Sequence, residues 1–152
     1  MQRVVCLAIV LTAAAAACTD GGTCNTVDPG RVTFMNGDAL TVQIADTPDE
    51  RAHGLMGVTS LPPDDGMAFL FDGPTEETFW MKDTLIPLAI AFVDGERIVA
   101  IREMVPCTGD PCPTYDPGAP YTYAVEANGG WFQSHGIAEG DRVRSFDESH
   151  CQ

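Results

Sequence analysis

A short aromatic and charged segment, residues 79–83, carries the side chains best suited to ligand recognition. It reads Phe79-Trp80-Met81-Lys82-Asp83 and contains the only lysine of the chain. Because side chains alternate between the faces of a strand, an extended segment would present Trp80 and Lys82 together. An indole beside an ammonium group can stack on a sugar or bind an anionic ligand. Alternatively, Trp80 fills the core and the methylene groups of Lys82 cover it.

A second candidate, Arg51, lies on a predicted helix. The sequence TPDE at residues 47–50 combines a capping threonine, a proline at the first helical position and the glutamate of a capping box. Arg51 could pair with a carboxylate such as Glu50 or Asp65. It could instead join Lys82 around an anionic ligand.

Two kinds of site therefore remain open. The first is a binding surface without catalytic residues. Its candidate ligand-binding residues are Trp80, Lys82, Arg51 and Asp83. The second is a hydrolase-like enzyme site, which requires four side chains to share one cleft: Glu50, Arg51, Lys82 and Asp83.

The histidines do not indicate a metal or catalytic site. His53, His135 and His150 have no partner at the spacing of a zinc motif. No glycine-rich phosphate loop is present either, since Gly129-Gly130 is not followed by Lys-Ser/Thr. We expect no metal ion and no cofactor.

The elements that must position these residues are mostly strands. Short apolar runs alternate with Gly, Pro, Asn and Asp, a pattern typical of a β-sandwich or barrel. We expect one compact, mostly β, sandwich- or barrel-like domain with one or two short helices. The predicted strands are residues 31–35, 39–45, 67–71, 78–82, 85–93, 97–104, 121–127 and 140–146. Helices are predicted from residue 47 and over residues 129–135.

The charge of the chain excludes several classes of partner. Twenty-two Asp and Glu residues face eight Lys and Arg residues, and the net charge is -14. Neutralising nucleic-acid phosphates requires a basic surface, so we expect no nucleic-acid partner. A polybasic contact with anionic lipid is excluded for the same reason.

The N-terminus predicts export. One arginine precedes an apolar run that is too short to span a bilayer, as in a secretory signal peptide. The run ends AAAC, which resembles a lipoprotein cleavage site with Cys18 as the lipidated residue. We expect a signal peptide over residues 1–17, a lipidated tether over 18–30 and the β-rich domain over 31–152. The protein would face the periplasm or the exterior on a membrane anchor; the alternative is secretion.

The remaining cysteines suit an oxidising compartment. Cys107 and Cys112 lie in a loop rich in proline and glycine that a disulfide could close. Cys24 and Cys151 would then form a second bridge near the two ends of the mature chain. The predicted pairs are therefore Cys107-Cys112 and Cys24-Cys151, although four cysteines allow three pairings.

Several separated motifs resemble the prokaryotic family called domain of unknown function 192. They are ERAHGLM (residues 50–56), LPPDDGMAF (61–69), FWMKDTLIPL (79–88), NGGWF (128–132) and GDRV (140–143). The resemblance implies an all-β, sandwich-like and often exported domain with no agreed activity. The family usually has Asn at the position of Asp83. The predicted export, the disulfides, the aromatic segment at residues 79–83 and the lack of a catalytic motif together lead us to expect an envelope-bound binding or accessory module. Its partner would be a small anionic ligand, a glycan or a protein.

Overall fold

The structure is a computed structural model, and it describes residues 29–148. The predicted signal peptide, Cys18 and the Cys24–Cys151 pair lie outside these residues. No helix of the described part is long and apolar enough to cross a membrane. The elements in chain order are β1 (Gly30–Phe34), β2 (Ala39–Ala45), α1 (Pro48–His53), β3 (Asp65–Thr75), β4 (Phe79–Trp80), β5 (Leu88–Asp94), β6 (Arg97–Met104), β7 (Thr114–Tyr115), β8 (Tyr121–Asn128), α2 (Trp131–Ser134) and β9 (Val143–Asp147).

Seven strands form one curled sheet, so the mostly β, barrel-like prediction is confirmed. Their order is β6-β5-β8-β3-β2-β1-β9. The sheet curls until its two edge strands meet at one end. There, the amide of Ile98 donates to the carbonyl of Asp141 (2.9 Å) and the amide of Val143 donates to that of Glu96 (2.8 Å). The result is a half-barrel in which part of each edge is paired.

The neighbouring strands of the sheet are antiparallel except for β2 and β3, which are parallel. A parallel pair requires a crossover connection, and this one contains α1. The helix begins where the sequence predicts: Thr47 and Glu50 form the complete capping box, with Pro48 at the first helical position. This crossover carries Arg51 over the sheet.

Each face of the sheet has its own apolar core. The first core collects side chains from all seven strands of the sheet and from α2, as expected inside a curled sheet. The second lies on the opposite face, over the centre of the sheet, and includes Phe69, Met81, Ile90 and Phe92. Strand β5 is buried on both faces, which explains its unbroken apolar sequence.

Two irregular segments, residues 76–87 and 105–120, cover the second core. They meet in a two-stranded ladder that pairs Phe79 with Tyr115 and Trp80 with Thr114. Cys107 and Cys112 lie at disulfide distance within the second segment, with their sulfur atoms 2.08 Å apart. The predicted strand at residues 78–82 is therefore much shorter than expected and belongs to this small ladder, because its backbone groups bond to the covering loop.

Two further strand predictions need correction. β3 continues to Thr75 beyond the expected end at residue 71, across an irregularity in its pairing with β8. The predicted strand over residues 85–93 contains Pro87, which should place the start of that strand at a sheet edge or a bulge; instead, Pro87 directly precedes β5, which lies between β6 and β8. Since Pro87 lies just outside the ladder, its missing N–H costs the sheet nothing.

Candidate functional site

A groove of about 340 Å³ lies between α1 and the segment that carries Trp80. We call it the outer groove. Most of its residues are apolar or aromatic, and three are polar, of which one is basic and one acidic: Pro48, Arg51, Ala52, Phe71, Glu77, Thr78, Phe79 and Trp80. Two of the four predicted ligand-binding residues, Trp80 and Arg51, therefore line the same groove.

Trp80 is exposed at the rim of this groove. Its side chain is 49% accessible, whereas Met81 is fully buried and Phe79 packs against the second core. The alternative in which Trp80 fills the core is therefore wrong. Lys82 lies beside the indole, with Nζ 5.8 Å from the ring centroid. An exposed indole next to a cation is the arrangement that the strand alternation predicts.

Lys82 has a partner that the sequence did not indicate. Its Nζ forms an ion pair with Asp110 at 3.3 Å, and Asp110 lies in the loop between the paired cysteines. Among the described residues, Lys82 forms no ion pair with its neighbour Asp83. The contact is solvent-exposed, so it is worth less than about 1 kcal/mol, but it offsets the charge of Lys82 beside Trp80.

Asp83 forms a turn through its backbone groups. It adopts a positive φ of 54°, a conformation that Asp and Asn tolerate better than most residues. Its amide donates to the carbonyl of Cys107 (2.9 Å), and its carbonyl accepts from the amide of Gly57 (3.0 Å). This backbone role makes Asp83 a turn residue.

Arg51 donates to backbone carbonyls and not to a carboxylate. Its Nη1 bonds to the carbonyl of Asp46 (2.6 Å) and to that of Leu70 (2.8 Å). The guanidinium lies 4.9 Å from the ring centroid of Phe71. The expected pairs with Glu50 and Asp65 are not formed. Because only Nη1 is used, the other N–H donors of this rigid group remain available to a ligand in the groove.

The four residues of the predicted enzyme site each bond to other groups. The carboxylate of Glu50 accepts from the amide and the hydroxyl of Thr47 (3.0 and 2.8 Å). These bonds hold the pKa of Glu50 below its ordinary value, so it is a helix cap. Arg51, Lys82 and Asp83 each bond to other groups, as described above. No hydrogen bond or ion pair links the side chains of these four residues, so the described contacts lend no support to the hydrolase-like arrangement, which stays a prediction.

Tyr121 supports the floor of the outer groove. Burial raises the pKa of its hydroxyl, the charge of Glu77 adds to this effect, and Arg51 opposes it. The hydroxyl therefore stays protonated, and it donates to the carbonyl of Glu77 at 2.9 Å. This bond ties the acidic wall of the groove to the centre of the sheet.

A second and smaller cavity adjoins the outer groove. This inner cavity measures about 30 Å³ and lies between the end of α1, the segment after β4 and the sheet. It shares four residues with the groove, Arg51, Ala52, Phe79 and Trp80, and Glu126 also lines it. Such a volume holds one or two water-sized groups.

Glu126 is the most unusual residue of this region. It lies on the central strand β8, opposite Met67 and Ile90, and it is 4% exposed. No residue between 29 and 148 donates a hydrogen bond to its carboxyl group. Burial raises the pKa of Glu126 to about 8, so the group is mainly protonated at neutral pH.

The sequence prediction missed Glu126 although a signal was present. The residue interrupts an otherwise apolar run, Tyr-Ala-Val-Glu-Ala, in a predicted strand. A strand that reads as apolar on both faces lies at the centre of a sheet. A carboxylate within it must be buried, and buried carboxylates are rare unless they are paired or functional.

No three His, Cys, Asp or Glu side chains between residues 29 and 148 come together as metal ligands. The arrangement offers an aromatic wall, a guanidinium and a buried carboxyl group within two adjoining cavities. Its chemistry is that of recognition by stacking, hydrogen bonding and charge.

Comparison with known proteins identifies similar chains. The model of DUF192, described as "Uncharacterized ACR", matches residues 31–145. A solved protein of unknown function from Novosphingobium aromaticivorans DSM 12444 is 36% identical over 77% of this chain and 84% of its own, with a TM-score of 0.69. A Sinorhizobium meliloti 1021 protein, provisionally described as a transcription regulator, is 32% identical over 76% and 91%, with a TM-score of 0.67.

No curated protein matches the chain. The family model nevertheless covers nearly the whole described domain, and both solved relatives exceed 30% identity over most of their own length. The chain therefore belongs to the DUF192 family.

Proposed function

We propose that this protein is a non-catalytic binding module whose outer groove holds a ligand with a flat apolar face and an acidic group, such as an acidic sugar. The observation that carries the proposal is the shared lining of the groove by Trp80 and Arg51. The exposed indole offers a stacking surface, and the guanidinium offers unused donors beside it. Acidic sugars combine the two matching features.

The geometry of the groove supports this ligand class. Aromatic walls with a few fixed polar groups are typical of small-molecule sites. Arg51 is held by two carbonyls and by its contact with Phe71, so little side-chain entropy is lost when it binds a carboxylate. No carboxylate of the described residues lies within ion-pair distance of Arg51.

A role in gene regulation does not follow from the relative that carries that description. The chain has a net charge of -14, and binding DNA requires neutralisation of phosphates by a basic surface. The proposal therefore keeps the expectation that nucleic acid is not a partner.

Export and lipid anchoring remain part of the proposal. The AAAC sequence supports lipidation of Cys18, and a module at the cell envelope would meet acidic glycans there. Fractionation of cells that express the full chain, with labelling by a fatty-acid analogue, tests this part. We expect label and membrane association for the wild type and neither for Cys18→Ser. An unlabelled wild type recovered in the culture medium would support secretion instead.

Calorimetric titration with glucuronate oligosaccharides and with neutral oligosaccharides of equal length tests the groove. We expect binding of the acidic series, a loss of about tenfold in affinity for Trp80→Ala and a similar loss for Arg51→Gln. Exposed Met35 supplies a matched control, since Met35→Ala removes a surface side chain outside the groove. Equal affinity for both sugar series, or unchanged binding by both groove variants, would contradict the proposal and leave a protein partner as the alternative.

A further inference from the structure

The inner cavity is lined by two buried polar residues, Glu126 and Thr84, that do not line the outer groove. Glu126 is 4% exposed as a residue. Its carboxyl group receives no hydrogen bond from the rest of the described chain, and its oxygens are not fully enclosed, since no fully buried side-chain oxygen among the described residues lacks a partner. Desolvating a carboxyl group without a partner costs several kcal/mol in the ionised form. A native fold that keeps such a group beside a cavity leaves an unpaired hydrogen-bonding group there, which becomes a pure acceptor when it ionises.

The other buried polar residue of the cavity also presents an acceptor. Thr84 is 5% exposed, and its hydroxyl donates to the carbonyl of Lys82 at 3.4 Å. The proton of this hydroxyl is therefore committed, and its lone pairs remain. Arg51 also lines the cavity, but its Nη1 bonds to carbonyls and its guanidinium lies over Phe71, which lines the groove.

Aromatic rings complete the wall. Phe69, Phe79 and Trp80 line the cavity, and the rings of Phe69 and Phe79 meet edge to face with centroids 4.9 Å apart. Aromatic faces carry negative potential and attract cations, more strongly where water is excluded. Acceptors and ring faces together favour a donor that carries positive charge.

From this arrangement we infer that the inner cavity binds a primary ammonium group at the end of an alkyl chain, with Glu126 as its counter-ion. The volume of about 30 Å³ fits one such group and excludes a quaternary ammonium ion with longer arms. The site takes a different chemical group from the outer groove and does not depend on the ligand proposed there.

Binding is coupled to proton release. The free site holds the protonated carboxyl group of Glu126, because burial keeps its pKa near 8. An arriving ammonium ion favours the carboxylate, so one proton leaves to solvent as the ion pair forms and the net charge of the site is unchanged. Affinity therefore rises with pH up to about 8, a range in which alkyl amines stay protonated.

The other charged groups near the cavity do not replace Glu126 in this role. Arg51 and His53 on α1 line it, His53 is exposed, and Lys82 on the covering segment pairs with Asp110. The neighbouring strands contribute apolar residues opposite Glu126, namely Met67 and Ile90. Glu126 is the only carboxylate among the lining residues.

Titration of the full chain with ethylammonium chloride tests the site. The pKa of Glu126 is followed by NMR of protein labelled with ¹³C at the glutamate carboxyl groups. Saturating ethylammonium is expected to lower this pKa by at least one unit. Ethanol, which has a similar size without charge, and tetraethylammonium, which has the charge without the fit, are expected to leave it unchanged.

A variant separates the counter-ion role from the shape of the cavity. Glu126→Gln preserves the volume of the side chain and removes the charge, and it is expected to weaken ethylammonium binding at least tenfold at pH 8. Affinity for oligosaccharides in the outer groove is measured in parallel, so that failure of either site is seen separately. An equal response to ethanol, an unchanged pKa at saturation or undiminished binding by Glu126→Gln would each overturn the inference.

Discussion

From the burial of Glu126 we predict how the free energy of unfolding changes with pH. The group has an ordinary pKa of 4.5 when exposed and a pKa of about 8 in the folded protein. Below pH 4.5 the carboxyl group is protonated in both states and carries no penalty. As the pH rises towards 8, the unfolded chain loses the proton and the folded protein retains it, so stability is lost across this window.

The size of the effect follows from the two pKa values. One pKa unit corresponds to about 1.4 kcal/mol, so the full penalty is about 5 kcal/mol above pH 8, and about 3 kcal/mol of it is present at pH 7. Glutamine has nearly the same shape and does not ionise. Replacing Glu126 by Gln should therefore remove this part of the pH dependence.

Urea unfolding followed by circular dichroism at pH 4.5, 7 and 9 measures the effect. The free energy of unfolding of Glu126→Gln, relative to the wild type, is expected to increase by about 3 kcal/mol from pH 4.5 to 7 and by about 4 kcal/mol from pH 4.5 to 9. The change with pH is the readout, because the buried amide adds a constant cost at every pH.

Glu76 provides the matched control, since it is an exposed glutamate outside both cavities. Glu76→Gln makes the same chemical change in water and should give a curve parallel to that of the wild type. If Glu126→Gln is equally parallel, then Glu126 is already charged at neutral pH, and both the burial argument and the proton release proposed for the inner cavity are wrong.

Three further predictions concern the frame around the site. Gly66→Ala should cost about 3 kcal/mol in urea unfolding, because a Cβ there would lie 2.1 Å from the carbonyl oxygen of Glu126. Gly73→Ala, in open space, should cost under about 1 kcal/mol; equal losses would contradict the close approach. Thr47→Ala should cost about 1 kcal/mol by the same measurement, and Thr47→Ser should restore it; an unchanged Ala variant would show that the cap contributes nothing. Glu139, whose pKa is lowered chiefly by a hydrogen bond from a β6 amide, should stabilise the fold above pH 4.5 and lose this effect below it. The difference in free energy of unfolding between the wild type and Glu139→Gln should therefore decrease as the pH falls. A difference that does not change with pH would contradict a stabilising role for the hydrogen bond from the β6 amide to Glu139.

Local elements were largely predictable because their signals lie within a few residues. The capping box at Thr47 starts α1 as expected. The sequence Asn36-Gly37 marks the turn between β1 and β2, where Gly37 adopts a φ of 98°. Each signal depends on backbone geometry that neighbouring residues determine, so no knowledge of distant contacts was needed.

The candidate site was predicted only in part. The alternation of residues 79–82 placed Trp80 and Lys82 on one face but left open whether Trp80 fills the core, and the helix placed Arg51 on one face. The partners of Arg51 and Lys82 were missed because they lie far along the chain: Leu70 is 19 residues from Arg51, and Asp110 is 28 residues from Lys82. Such pairs depend on how the covering segments fold onto the sheet.

The amino-acid sequence by itself determined the family, the mostly β architecture and the positions of the main turns, and its charge predicts that nucleic acid is not a partner. Those properties follow from composition, periodicity and local motifs. Only the tertiary structure decided that α1 crosses between two parallel strands, that Arg51 and Trp80 share a groove, and that Glu126 faces a cavity without a partner. These features arise from the order of strands in the sheet, which places β8 at its centre and gives a single carboxyl group its unusual environment.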